Sequence, residues 1–213
     1  GIKSRYEDID LVIVRENTEG LYSGIEHKIG DYGAETIKII TKPACERICE
    51  FAFNYAKDNN RKKVTGVHKA NIMKLSDGLF LNTFRDIASK YPDIQSDDLI
   101  VDAACMNLVI NPEKYDVMVM PNLYGDIVSD LCSGLVGGLG MIPGANIGKD
   151  YAVFEAVHGS APDIAGKNIA NPTAIIQSSV MMLRYLGEQE AAAKIENALV
   201  KVFEKGENLT GDL

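Results

Sequence analysis

No apolar run among the 213 residues approaches the ~18 that a membrane-spanning helix requires, so no such span is expected. No cluster of lysine and arginine exceeds Arg61-Lys62-Lys63, and 22 Lys and Arg stand against 30 Asp and Glu, a formal net charge of −8. That acidic balance, without a basic stripe, argues against nucleic acid and against an anionic membrane surface as partners. Small anions held by a few placed cations remain. Cysteine is sparse: Cys45, Cys49, Cys105 and Cys132 form no C-x-x-C pair and fall in segments of helical or near-helical pattern. A disulfide framework or a zinc site is therefore not expected, whereas reduced packing thiols of an intracellular compartment are. No internal repeat or low-complexity stretch breaks the chain. It opens Gly1-Ile-Lys rather than on methionine, so the lack of a recognisable signal peptide decides nothing.

What is present is a globular composition, 46% hydrophobic, with strand and helix signals in alternation. Asp10-Leu-Val-Ile-Val-Arg15 is a continuous β-branched run of the kind a buried parallel strand shows. Thr36–Thr41 alternates like a half-exposed strand. Pro43 at a first helical position opens a segment whose Ile48, Phe51, Ala52, Tyr55 and Ala56 share a face. Val64–His68 predicts another strand, and Phe80, Phe84, Ile87, Ala88 and Tyr91 a second amphipathic helix; Leu99–Asp102 and Tyr115–Met120 return to strand character. The order favours a layered α/β fold. From Gly134 to Gly148 six glycines and Pro143 suggest an irregular connector between domains. It is no dinucleotide fingerprint, because the third glycine of a motif begun at Gly138-Leu-Gly140 falls on Pro143 and no strand immediately precedes it. Beyond it, Pro172 introduces an apolar segment to Leu186, and Glu188–Lys205 predicts an alanine-rich amphipathic helix.

The chemistry concentrates at the ends of these strands, where α/β sheets place ligands. Asn122-Leu-Tyr-Gly-Asp-Ile-Val-Ser-Asp130 puts Asp126 and Asp130 four residues apart at the start of a helix, on one face. Paired carboxylates suit a hard divalent cation, magnesium above all, although aspartates near a helix start also simply complement its dipole. Arg15 closes the first strand and can clamp a carboxylate bidentately; His68-Lys69 closes the third, and Asp102 the fourth. Singly, each has an ordinary explanation: a surface ion pair for Arg15, a snorkelling Lys69, a capping Asp102.

Four blocks extend the pattern: Arg15-Glu-Asn-Thr-Glu-Gly-Leu-Tyr-Ser-Gly24, Val67-His-Lys-Ala-Asn-Ile-Met-Lys74, Asn122–Asp130 and His158-Gly-Ser-Ala-Pro-Asp-Ile-Ala-Gly166. In order and spacing these resemble the β-decarboxylating dehydrogenases, the isocitrate/isopropylmalate dehydrogenase family, and most of all the NAD-dependent isocitrate enzymes. The resemblance runs through essentially the whole chain. It implies the layered sheet-and-helix fold of that family rather than a classical Rossmann fold, with a central domain over residues 1–136, a clasp-like insertion between subunits at about 20–41, and part of the large cofactor-binding domain over 137–213.

The resemblance also implies a chemistry: oxidation of the C2 hydroxyl of isocitrate, a small tricarboxylate, by hydride transfer to NAD, then loss of carbon dioxide to give 2-oxoglutarate. By position, Asp126 and Asp130 match metal-site aspartates of one protomer, and Asp102 matches the one contributed by its neighbour, so Mg2+ or Mn2+ and a homodimer or hetero-oligomer with shared sites are implied. Lys69 matches the residue beside the hydroxyl, also from the neighbour, and Tyr22 the acid that protonates C3; Arg15 grips a substrate carboxylate and Asn71 also belongs to the substrate site. His158, Gly159 and Ala161 match the loop that wraps adenine, Gly140 a close-approach glycine and Asn171 an adenine contact. Asp163-Ile164 occupies the position that distinguishes the nicotinamide cofactors; an aspartate accepts bonds from ribose hydroxyls and repels a 2′-phosphate, which favours NAD. Read as single residues, His158 is an ordinary loop histidine and Asp163 a turn residue.

Family members are longer at both ends, and the part before this chain carries the substrate-selecting loop, so the chain is expected to be a fragment, inactive alone. The alternatives are a 3-isopropylmalate or homoisocitrate dehydrogenase, or a noncatalytic regulatory subunit. A mitochondrial matrix protein and a bacterial cytoplasmic one would read alike.

Overall fold

A computed structural model of the chain describes Tyr6 and residues 8–213. They fall into two compact units, Asp8–Cys132 and, with Tyr6, Ser133–Leu213.

The first unit is built on β1 (Val12–Arg15), the hairpin β2 (Glu26–Ile29) and β3 (Gly33–Thr36), α1 (Lys42–Asp58), β4 (Lys63–His68), α2 (Ser76–Ala88), β5 (Gln95–Ile100), α3 (Val101–Ile110), β6 (Val117–Met120) and the start of α4 (Asn122–Leu135). Four strands form one parallel sheet in the order β1-β6-β4-β5, with Arg15 opposite Met120 and His68 opposite Ile100. Parallel register brings the carboxyl ends of all four strands to one edge, which is why Arg15, Lys69 and the starts of α3 and α4 emerge on the same side of the sheet.

The main core cluster lies on one sheet face, and Val67, Met118 and Met120 on the other face are buried as well. Val14, Val64, Val117 and Val119 pack against Cys45, Cys49, Ala52, Phe53 and Ala56 of α1 and Phe80, Phe84 and Ile87 of α2. The α1 face is rotated from the expected one: Phe53 is fully buried, with its ring 5.6 Å from Phe84 and 5.0 Å from Tyr91, while Phe51 and Tyr55 stack at the margin. Gly66 is required here, because a Cβ would lie 2.8 Å from the Phe84 ring. The thiols are free packing groups; burial pushes Cys45 up to about 12 and Cys49 higher still.

Three expectations are corrected. The strand expected at Thr36–Thr41 is displaced: β3 ends at Thr36, and beyond it only a single bridge joins Ile39 to Gly20, because Lys38 turns inward to an ion pair rather than outward on a pleat. The fourth strand starts earlier and ends before Asp102, which sits in the first turn of α3. At one edge of the sheet, β5 carries polar Gln95, Ser96, Asp97 and Asp98, so its first half shows no apolar signal.

The third correction lies in the second unit. The glycine-rich stretch contains β7 (Pro143–Ile147), paired antiparallel with β8 (Ala152–Ala156). Two of its glycines serve close packing: a Cβ on Gly144 would sit 3.0 Å from the Glu155 carbonyl oxygen, and one on Gly148 3.0 Å from the Tyr151 carbonyl oxygen. Helices α5 (Thr173–Tyr185) and α6 (Gln189–Lys205) pack on each other and α5 covers the hairpin, with Ser178 donating to the Glu155 carbonyl at 2.8 Å.

Candidate functional site

At the carboxyl end of β1 the Arg15 guanidinium is held on three sides. Its Nε and Nη2 donate to Asn122 Oδ1 at 3.0 and 2.8 Å, and Nη1 donates to Asp126 Oδ1 at 2.6 Å. Its Cζ lies 5.0 Å from the centre of the Tyr22 ring. The Tyr22 hydroxyl lies beside Asp126, and hydrogen bonding to that carboxylate raises its pKa above the usual phenol value. Asn122 is buried and fixed from behind by its own donation to the Glu19 carbonyl at 2.9 Å. Gly125 makes this possible: a Cβ there would collide with the Arg15 Cβ, Cγ and Cδ. Asp130 lies one turn along α4 from Asp126, exposed.

A second grouping follows β4. Lys69 Nζ donates to Asp102 Oδ1 at 2.5 Å, and that bond lowers the Asp102 pKa from its ordinary value. Asn71 is exposed in the turn just beyond. His68 takes no part: it is buried, its Nε2 3.3 Å from Asp98 Oδ1 and its Nδ1 accepting from the Ala70 N–H at 3.0 Å.

The structure thus joins Arg15, Tyr22 and Asp126 in one cluster and Lys69 with Asp102 in another. Among the described residues no three His, Cys, Asp or Glu side chains of one chain converge to hold a metal. The donor set nevertheless suits one. The half-exposed Asp126 and the exposed Asp130 offer hard oxygens one helical turn apart, and Mg2+ accepts one or two carboxylates when substrate oxygens and water complete its shell.

In the second unit, Gly140 and Asn171 come together. A Cβ on Gly140 would stand 3.4 Å from Asn171 Nδ2 and from Asp212 Oδ2. Asn171 Nδ2 donates to Asp212 at 2.9 Å, while its Oδ1 accepts the Thr173 N–H at 2.9 Å in an Asx turn that leads into α5. His158, Gly159, Ala161 and Asp163 lie exposed on the loop after β8, with Ile164 half-buried; the His158 Nδ1 is 2.9 Å from the Gly159 carbonyl. Ala161 adopts φ 43°, which turns the chain into the short 3-10 helix Pro162–Ile164 and presents the Asp163 carboxylate to solvent. An exposed carboxylate beside an open loop fits the ribose hydroxyls of a dinucleotide.

A family model described as isocitrate/isopropylmalate dehydrogenase matches residues 2–213. The chain belongs to that family. It is 59% identical over its full length to a Drosophila melanogaster protein named as the probable alpha subunit of mitochondrial NAD isocitrate dehydrogenase, and 58% identical to a Dictyostelium discoideum protein named as a regulatory subunit of the mitochondrial NAD enzyme. It spans 56% and 60% of these two relatives. The solved isocitrate dehydrogenase of Methylococcus capsulatus superposes on all of this chain with a TM-score of 0.96 at 56% identity, the chain covering 64% of it. The parallel sheet and its helices therefore have the isocitrate dehydrogenase fold rather than a classical Rossmann fold.

Several residues around the site escape a sequence reading. Asn122 and Gly125 flank the aspartate pair but show their roles only once Arg15 is seen to lie across α4. Lys38, Asp77 and Tyr124, which meet beneath the two clusters, are far apart in sequence, and Asp212 looks like an ordinary polar residue. Asn122, Tyr124 and Gly125 lie inside the recognised Asn122–Asp130 block, whereas nothing in the sequence marks Lys38, Asp77 or Asp212.

Proposed function

We propose that the chain is a catalytic part of an NAD-dependent isocitrate dehydrogenase that oxidises isocitrate and releases carbon dioxide to form 2-oxoglutarate, with sites shared between subunits. Residues Asp8–Cys132 correspond to the central domain, with the exposed β2–β3 hairpin as the clasp, and Ser133–Leu213 to part of the cofactor-binding domain. The observation that carries the reading is the Arg15–Tyr22–Asp126 cluster, an anion clamp, a phenol and a half-exposed carboxylate at one sheet edge.

Arg15 is pre-aimed by Asn122, so its guanidinium pairs with a substrate carboxylate at little entropic cost. Tyr22, fixed against Arg15, donates its hydroxyl proton to C3 after decarboxylation. Lys69 of the neighbouring protomer, steadied by Asp102, takes up the C2 hydroxyl proton, and Asn71 binds substrate. Asp126 and Asp130, with the neighbour's Asp102, would hold Mg2+ or Mn2+, which supplies charge stabilisation at the substrate oxygens. Gly140, His158, Gly159, Ala161, Asp163, Ile164 and Asn171 would hold NAD, which accepts the hydride. The animal and Dictyostelium relatives are named as mitochondrial and the solved relative is bacterial; these support a mitochondrial matrix or bacterial cytoplasmic location. No helix among the described residues is long and apolar enough to cross a membrane.

The test is steady-state turnover by the assembled enzyme containing this chain, offered isocitrate, 3-isopropylmalate and homoisocitrate with either cofactor. Isocitrate with NAD is the expected combination, and replacing Asp163 with alanine should narrow the NAD preference by about tenfold or more by removing a repelling charge. A preference for another hydroxy acid would overturn the substrate, and an unchanged cofactor ratio would overturn the role of Asp163.

A second reading has one specific observation behind it, the regulatory name of the Dictyostelium relative. On that reading the chain tunes a catalytic partner and does no chemistry. The presence of Tyr22, Lys69, Asp102, Asp126, Asp130 and Asp163 together supports the catalytic one.

A further inference from the structure

Beneath the two surface clusters lies a buried ionic network that the mechanism does not use. Asp77, in the first turn of α2, is completely buried. Its Oδ2 accepts the backbone N–H of Lys69 at 2.7 Å and the hydroxyl of Tyr124 at 2.9 Å, and its Oδ1 pairs with the ammonium of Lys38. Lys38, itself largely buried, also donates to Tyr124 Oη at 3.3 Å and lies 4.5 Å over the Tyr124 ring. One carboxylate therefore ties together three segments distant in sequence: the chain after β3, the turn that carries Lys69, and the start of α4 two residues before Asp126.

A buried ion pair is a poor way to gain stability, since well-packed apolar residues commonly do as well or better. Its worth lies in geometry. Three donors converge on one carboxylate, more than a single amide oxygen can accept, so the three segments are fixed to one another at a point without slack. We infer that Asp77 is a positioning residue, which fixes the backbone of Lys69 so that its amine arrives at a set place in the shared site. The inference rests on the catalytic reading of Lys69.

The test compares two double variants of the assembled enzyme. Both remove the ion pair, so neither leaves a lone buried charge. Lys38→Met with Asp77→Asn keeps an oxygen to accept the Lys69 N–H; Lys38→Met with Asp77→Ala does not. Misplacement of a reacting group by about 1 Å costs up to about 100-fold in rate. The alanine double variant is therefore expected to lose about 10- to 100-fold in kcat with KM for NAD unchanged, and the asparagine double variant to recover most of that loss. Equal kcat for the two, measured per assembled enzyme, would overturn the inference, because a merely structural role gives no such rescue. Should the alanine variant not assemble, Tyr124→Phe removes one of the three donors alone; a kcat lowered about threefold or more supports the inference and an unchanged kcat overturns it. Lys69→Met is measured alongside. If it retains turnover, the catalytic reading itself is wrong; if it abolishes turnover while the Asp77 variants do not differ, only the positioning role is wrong.

Discussion

Replacing Tyr22 with phenylalanine in the assembled enzyme is expected to lower kcat by about 100- to 10,000-fold, the usual contribution of a placed general acid. The substitution is narrow. The ring keeps its place over the Arg15 guanidinium, 5.0 Å from Cζ, and only the hydroxyl bonded to Asp126 disappears. Substrate affinity, which depends on the Arg15 fork, should change little, so kcat and kcat/KM should fall together. Steady-state kinetics with isocitrate checks this. A kcat within threefold of the parent would remove Tyr22 from the chemistry and favour the regulatory reading.

Asp126→Asn should be at least as damaging, through two routes. The carboxylate is a proposed metal ligand, and it is also the group that pairs with Arg15 Nη1 at 2.6 Å. An asparagine keeps the shape and loses the charge, which weakens both. Outer-shell partners of metals are worth about 10- to 100-fold in affinity or activity, so a ligand should exceed that range. The half-saturating concentration of Mg2+ or Mn2+ is expected to rise by more than about 10-fold and turnover at saturating isocitrate to fall by more than about 100-fold. A metal titration that superposes on the parent's would take Asp126 out of the metal site, whatever happens to turnover.

The parallel sheet was legible because three of its strands are rich in apolar, β-branched residues: Val12–Arg15, Val64–His68 and Val117–Met120 are buried or half-buried along their length, and burial leaves a plain mark on sequence. What failed to register was structure made from polar or small residues. The first half of β5 is Gln-Ser-Asp-Asp, acceptable only at an edge, and β7 hides among glycines, of which packing against β8 demands Gly144. The site divides along the same line. Arg15 and Asp126 stand out as charges at element ends, and their contact follows from parallel register. Gly125 carries no charge and matters only through an absent side chain; Asp77 and Lys38 are 39 residues apart and meet only when β3, α2 and α4 are assembled. Periodicity reports on a residue's neighbours along one element, and these roles belong to contacts between elements.

The most direct test of a site shared between copies is subunit mixing. Lys69→Met chains and Asp126→Asn chains, each inactive as a pure oligomer, are co-expressed and isolated as mixed dimers by separate tags. A mixed dimer has one site with the Lys69 and Asp102 of one protomer facing the Tyr22 and Asp126 of the other, all intact, so about half the parental turnover per dimer should return. Mixed dimers as inactive as the two pure ones would mean that Lys69 and Asp126 serve the same site from one chain, and the account would be wrong at its centre.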